Sequence, residues 1–246
     1  MMNKEQEYQH LICEVRDSYQ SRPNPNSNIY LRWCDDCRKH INLWSYWQGS
    51  LDARIMVVGQ DWGCPEESAV LNNIKAINEE TESEYHVNLD SITDRNLCTL
   101  LASIGFPAET YNPDLFFTNL ALGYRNKGLT GGFRQSWLRE CEPFFRRLVD
   151  IVDPEVIICL GRNVFVSVTR AMGKKVRVGR YNAFIESGEN PVQVNGCMIF
   201  AEAHCGYFGT INRARGSERN GLEPQIEDWT RIKQALYTNC KYAKNI

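Results

Sequence analysis

The chain has 246 residues, of which 43% are hydrophobic and 24% charged, with a formal net charge of −2. Those figures suit a soluble globular protein with a full core, and they exclude disordered, collagen-like and membrane-spanning classes. The near-neutral charge excludes a uniformly basic nucleic-acid binder, so any contact with phosphates requires charge gathered on one side.

The start, MMNKEQEYQH, carries no apolar leader, so a cytoplasmic setting with reduced cysteines is expected. A short helix is expected before SRPNPNSN, Ser21 to Asn28, whose prolines and asparagines read as a linker. Residues 1–28 are therefore read as an N-terminal helix and linker, and 29–246 as a single domain. Next comes WCDDCRKH, where Cys34 and Cys37 stand at metal-ligand spacing; one such pair is a weak signal without partners. Most of the other cysteines, Cys98 and Cys159 among them, lie in apolar runs and read as small core residues.

Four apolar runs have strand character: RIMVVG (Arg54–Gly59), DLFFTN (Asp114–Asn119), EVIICLG (Glu155–Gly161) and CMIFAEAH (Cys197–His204). Near-continuous hydrophobicity indicates strands buried on both faces, as in a parallel sheet. Between them, NLCTLLASIG places Leu97, Leu100, Leu101 and Ile104 on one helical face, with Gly105 as a stop. The segment FRQSWLRECEPFFRRLVDIV aligns Phe133, Trp137, Phe144, Leu148 and Val152, with Pro143 expected to kink or restart it. KKVR at Lys174–Arg177, with Arg180, reads as a solvated basic face. A last helix, PQIEDWTRIKQAL, aligns Ile226, Trp229, Ile232 and Leu236. The alternation predicts an α/β fold: a three-layer sandwich around a four-stranded, mainly parallel sheet. Ligands of such sheets lie beyond the carboxyl ends of the strands. Those ends hold Gln60 and Asp61, Asn119, Gly161 and His204.

GQDWG (Gly59–Gly63), FFTNLAL, VIICLGRNVF and EAHCG together resemble the ordered motifs of the uracil-DNA glycosylase superfamily. The first looks like a blend of GQDPYH and the GEAPG of the iron–sulfur branch. The resemblance spans about Trp33 to Leu236 and rests on order and spacing. It implies a uracil-DNA glycosylase-like fold and hydrolysis of the N-glycosidic bond to uracil or another deaminated base. The implied partners are DNA, single-stranded or mismatched, and a uracil-like base, with no membrane, for a monomer. Asp61 would orient water and stabilise the cationic sugar. His204 would donate a hydrogen bond to the departing base, and Asn119 would read its edge with one donor and one acceptor. Gln60 would contact the base through its backbone. Gly63 stands where a tyrosine would exclude thymine's methyl group, which implies a permissive pocket. Tyr85 is ranked first as the stacking ring, with Trp62 as the alternative. After His204, a long loop would act as a wedge, with Tyr207 and Phe208 at its tip and Arg213 and Arg215 on phosphates.

The chemistry needs no cofactor. A structural iron–sulfur cluster or zinc is left open: Cys34, Cys37 and Cys141 match three of the iron–sulfur branch's four cysteines, and His40 could be a fourth ligand. Two rivals stay open as well, a non-catalytic base-binding module of the same fold and a small-molecule nucleoside hydrolase. Taken singly, Asp61 reads as a helix cap, Asn119 as a turn residue and His204 as a core histidine.

Overall fold

The computed structural model describes residues 2–23, 49–61, 91–109, 111–123, 134–215 and 221–238. The described elements are helix α1 (Lys4–Gln20), strand β1 (Ile55–Gly59), α2 (Ile92–Ser103), β2 (Leu115–Asn119), α3 (Gln135–Val152), β3 (Val156–Leu160), α4 (Arg162–Ala171), α5 (Tyr181–Glu186), β4 (Val192–Val194), β5 (Cys197–Glu202), α6 (Tyr207–Ala214) and α7 (Glu223–Thr238). None of these helices is long and apolar enough to cross a membrane.

The sheet has the order β2-β1-β3-β5-β4. The four strands expected from the sequence pair in parallel. The four-strand expectation is corrected by β4, which adds an antiparallel edge to β5. Its hairpin turns on Asn195 and Gly196, both at positive φ (51° and 85°). An Asn-Gly pair meets that demand because both residues tolerate a left-handed backbone.

Alternate residues of each strand enter one of two cores. Met56, Val58, Phe116, Ile157, Cys159 and Ile199 face a cluster built with α1, α3, α4 and α5. Ile55, Val57, Leu115, Phe117, Ile158, Leu160 and Phe200 face another, under α2 and α7. Helices thus cover both faces of the sheet. Helix α3 runs unbroken through Pro143, which is exposed, so water can satisfy the backbone carbonyl its ring strands. In that helix Phe145, not Phe144, takes the buried position, four residues after the buried Cys141. Helix α1 is no appendage: Tyr8, Leu11, Ile12, Val15 and Tyr19 are buried in the first core.

Connections from β1 lead to one side of the sheet and those from β3 to the other. The carboxyl ends of β1 and β3 therefore flank the crevice where doubly wound sheets hold ligands.

Candidate functional site

The β1 and β2 ladder continues past the strand ends. Leu120 N–H donates to Gly59 O (3.0 Å), and Ala121 N–H to Gln60 O (3.0 Å). That fixes the backbone at the first expected site residue. The Gln60 side chain then donates through Nε2 to Asp61 Oδ2 (3.0 Å), orienting the carboxylate.

Asn119 pairs in register with Gly59. By strand alternation it shares a face with Leu115 and Phe117. It is fully buried, and among the described residues neither Oδ1 nor Nδ2 has a hydrogen-bond partner. Leaving a buried donor and acceptor unmet costs on the order of 1–3 kcal/mol for each group. The neighbouring residue on β1 is a glycine, which puts no side chain beside that amide.

The segment after β5 is held from several sides. Gln225 Nε2 of α7 donates to Ala203 O (3.0 Å) and His204 O (3.4 Å), and Asn96 Nδ2 of α2 donates to Cys205 O (2.7 Å). Gly206 N–H donates to His204 Nδ1 (2.9 Å). An imidazole accepting at Nδ1 carries its proton on Nε2 when neutral. Burial lowers the His204 pKa below 6.5, and the Asp61 charge opposes that shift only in part. Two features follow: His204 is a neutral Nε2–H donor at pH 7, and Asp61 is close enough to act on it electrostatically.

Strand β3 lies between β1 and β5, and its tip is Gly161 at φ 109°. A side chain is strained at that φ. A Cβ built there meets nothing within 4 Å among the described residues. The lane from Asp61 to His204 therefore passes over a tip that bears no side chain.

The structure thus joins Asn119 to Gly59 by register and Asp61 to His204 by charge, along one rim. The wedge residues also stand there. The stretch read as a long loop is helix α6, and Tyr207 and Phe208 at its start are 57% and 71% exposed, stacked edge to face at 5.3 Å. The reading of Arg213 as a phosphate contact is corrected. Arg213 is buried in a bidentate pair with Asp228 of α7 (2.6 and 2.8 Å) and also meets Glu186 (2.8 Å). Helical rotation turns it away from the exposed pair. Arg215 is exposed.

The metal reading rests on one described residue. Cys141 is buried, its Sγ lies 2.9 Å from Tyr19 Oη, and burial pushes its thiol up to about 11. That sulfur serves as a protonated partner of Tyr19 in the first core. No group of three His, Cys, Asp or Glu among the described residues could hold a metal. Cys34, Cys37, His40, Trp62, Gly63 and Tyr85 lie outside the described residues.

One residue escaped the sequence reading. Glu202 closes β5 fully buried, with neither carboxyl oxygen partnered among the described residues. Its pKa is raised well above 4.5, first by burial and then by Asp228, against the pull of Arg231 and Arg213. The available signal was an acid inside an otherwise apolar strand. Glu202 shares a sheet face with Asn119, yet the two stand three strand spacings apart, roughly 14 Å at about 4.8 Å each. No family model matches the chain, and no curated protein matches it.

Proposed function

We propose that the protein hydrolyses the N-glycosidic bond between deoxyribose and uracil, or another deaminated base, in single-stranded or mismatched DNA. The unpartnered buried amide of Asn119 carries this reading. A donor and an acceptor kept dry and unmatched cost stability, and a heterocycle edge presenting one acceptor and one donor would satisfy both at once. Uracil has that edge; cytosine presents the reverse pattern and calls for the opposite orientation of the amide. Gly59 alongside bears no side chain, in keeping with the flat ring that the glycosylase resemblance implies.

In the reaction, the bond from C1′ to the base nitrogen breaks with its electron pair leaving on the base. Asp61, oriented by Gln60, stabilises the cationic sugar and takes a proton from the water that adds to C1′. His204 donates its Nε2–H to the base oxygen as negative charge grows there. A neutral imidazole suits that role, since it donates without holding a formal positive charge that its partial burial would disfavour.

The test is cleavage of a uracil-containing single strand, read as alkali-labile breaks. Wild type should cut, Asp61→Asn should lose about 10²–10⁴-fold in rate, and Asn119→Leu should lose base binding with it. Uracil binding without any cleavage would replace the hydrolase with a non-catalytic reader of bases. Turnover of free nucleosides that ignores salt would point to a nucleoside hydrolase instead.

A further inference from the structure

Between Arg162 and Ile185 the chain carries six cations, Arg162, Arg170, Lys174, Lys175, Arg177 and Arg180, and no acid. In a chain of net charge −2, that is strong segregation. Arg170 is spent on Glu142 of α3. Among the described residues none of the other five has an ion-pair partner, and all five are exposed. An isolated run of this kind would pass for a solvated face. Its position argues otherwise.

Three hydrogen bonds tie residues 178–182 to the rim. Arg162, the residue after the β3 tip, donates through Nη2 to Val178 O (2.7 Å). Tyr181 Oη donates to Glu202 O (2.9 Å) at the β5 tip. Asn182 Nδ2 donates to Asn212 O (3.1 Å) on α6. Arg177 and Arg180 therefore flank a backbone fixed beside the β3 and β5 tips of the candidate rim. Arg215, exposed just past α6, adds a cation on the helix that carries Asn212.

We infer that Arg177 and Arg180 bind the phosphodiester backbone of a single-stranded nucleic acid as it crosses the rim. The inference rests on the function proposed above, because a base held at Asn119 brings its own phosphates to this edge. It also restores what the burial of Arg213 removes, a set of free guanidinium groups beside the site. A single strand fits better than an anionic membrane, since the cations share a rim with Asn119, whose amide matches a heterocycle edge, and a membrane presents no such edge. Phosphate neutralisation by exposed cations releases counterions, so its signature is a salt dependence of binding.

The experiment is fluorescence anisotropy of a labelled oligothymidylate of about 16 nucleotides, titrated across a series of salt concentrations with the full-length protein. Each phosphate contact on a single strand contributes about 0.7 to the slope of log affinity against log salt. Arg177→Gln with Arg180→Gln should lower that slope by about 1.4 and weaken low-salt binding about tenfold. Replacing both by Lys should restore most of the slope, as a point charge suffices. An equal loss of charge on α3 and α7, Arg139→Gln with Lys233→Gln, should leave it unchanged. Equal slopes in the glutamine variant and wild type would overturn the inference, as would an equal drop in the α3/α7 control. So would wild-type binding to vesicles of phosphatidylserine and phosphatidylcholine with none to the oligonucleotide. Cleavage is read separately. A strand that binds through these arginines but keeps its uracil retains the rim and removes the hydrolase, whereas uracil excision with an unchanged slope does the reverse.

Discussion

Asn119 and Glu202 are two buried polar side chains that folding alone does not explain. An amide whose donor and acceptor are both unmet lowers stability, so a substitution that removes both should raise it. Asn119→Leu, close in shape and apolar, is expected to raise the melting temperature by the equivalent of about 1–2 kcal/mol while abolishing base binding. A drop in melting temperature would assign Asn119 a structural role and remove the basis of the proposed function. Glu202 has a folded pKa raised above its ordinary 4.5. Between those two values the folded protein holds a proton the unfolded chain has lost, so stability falls as pH rises through that window. The slope approaches 1.4 kcal/mol per pH unit for one group. Glu202→Gln should therefore stabilise the protein more at pH 8 than at pH 5 in thermal melts. A pH-independent difference would mean that the carboxyl titrates normally.

Helix α6 shows how an element can defeat a reading of its residues. CGYFGTINRAR holds two glycines and reads as a loop, and glycine inside a helix costs about 1 kcal/mol against alanine. Packing outweighs that cost. A Cβ on Gly209 would stand 2.0 Å from His204 O, so only glycine lets the helix lie on the His204 backbone. Arg213 and Asp228, both nearly closed to solvent, then pin α6 to α7; losing either would leave the other buried charge matched only by a more exposed one, Glu186 for Arg213 and Arg231 for Asp228. Gly209→Ala, stabilising in an ordinary helix, should here cost about 1–3 kcal/mol in chemical denaturation and displace His204. A neutral result would show that α6 can slide without consequence. The β4–β5 hairpin is the opposite case. Val-Asn-Gly-Cys carries the turn signal in plain sight, but a three-residue strand is too short for its alternation to stand out from a loop.

At the scale of the molecule, the N-terminal helix belongs to the fold it was set apart from. The prolines after Ser21 suggest a linker, and nothing local reveals what α1 covers. Its five buried side chains, at roughly 2 kcal/mol each, represent about 10 kcal/mol, comparable with the whole stability of a domain. Removing residues 1–22 should abolish the cooperative thermal transition. A truncated chain melting as sharply and as high as the full one would return α1 to the status of an appendage. Charge is likewise a property of the whole. The total of −2 conceals the strip near residues 162–180, and only the hydrogen bonds from Arg162, Tyr181 and Asn182 locate that strip on the rim.

The four parallel strands were legible because residues buried on two faces must be apolar almost without interruption, and that pattern is local. Their tips were legible for the same reason: a polar residue or a glycine breaking such a run marks its end, as Gly59, Asn119 and Gly161 do. What the order of residues could not contain is which tips lie side by side, which polar groups find partners and which are left without. Arg213 and Arg215 look alike in the chain, yet one is locked against Asp228 and the other is exposed. Asn119 looks like a turn residue until register sets it against Gly59 in a dry interior. Those distinctions are long-range, because a hydrogen bond or its absence depends on atoms many residues away in sequence, and only the assembled fold brings them within reach.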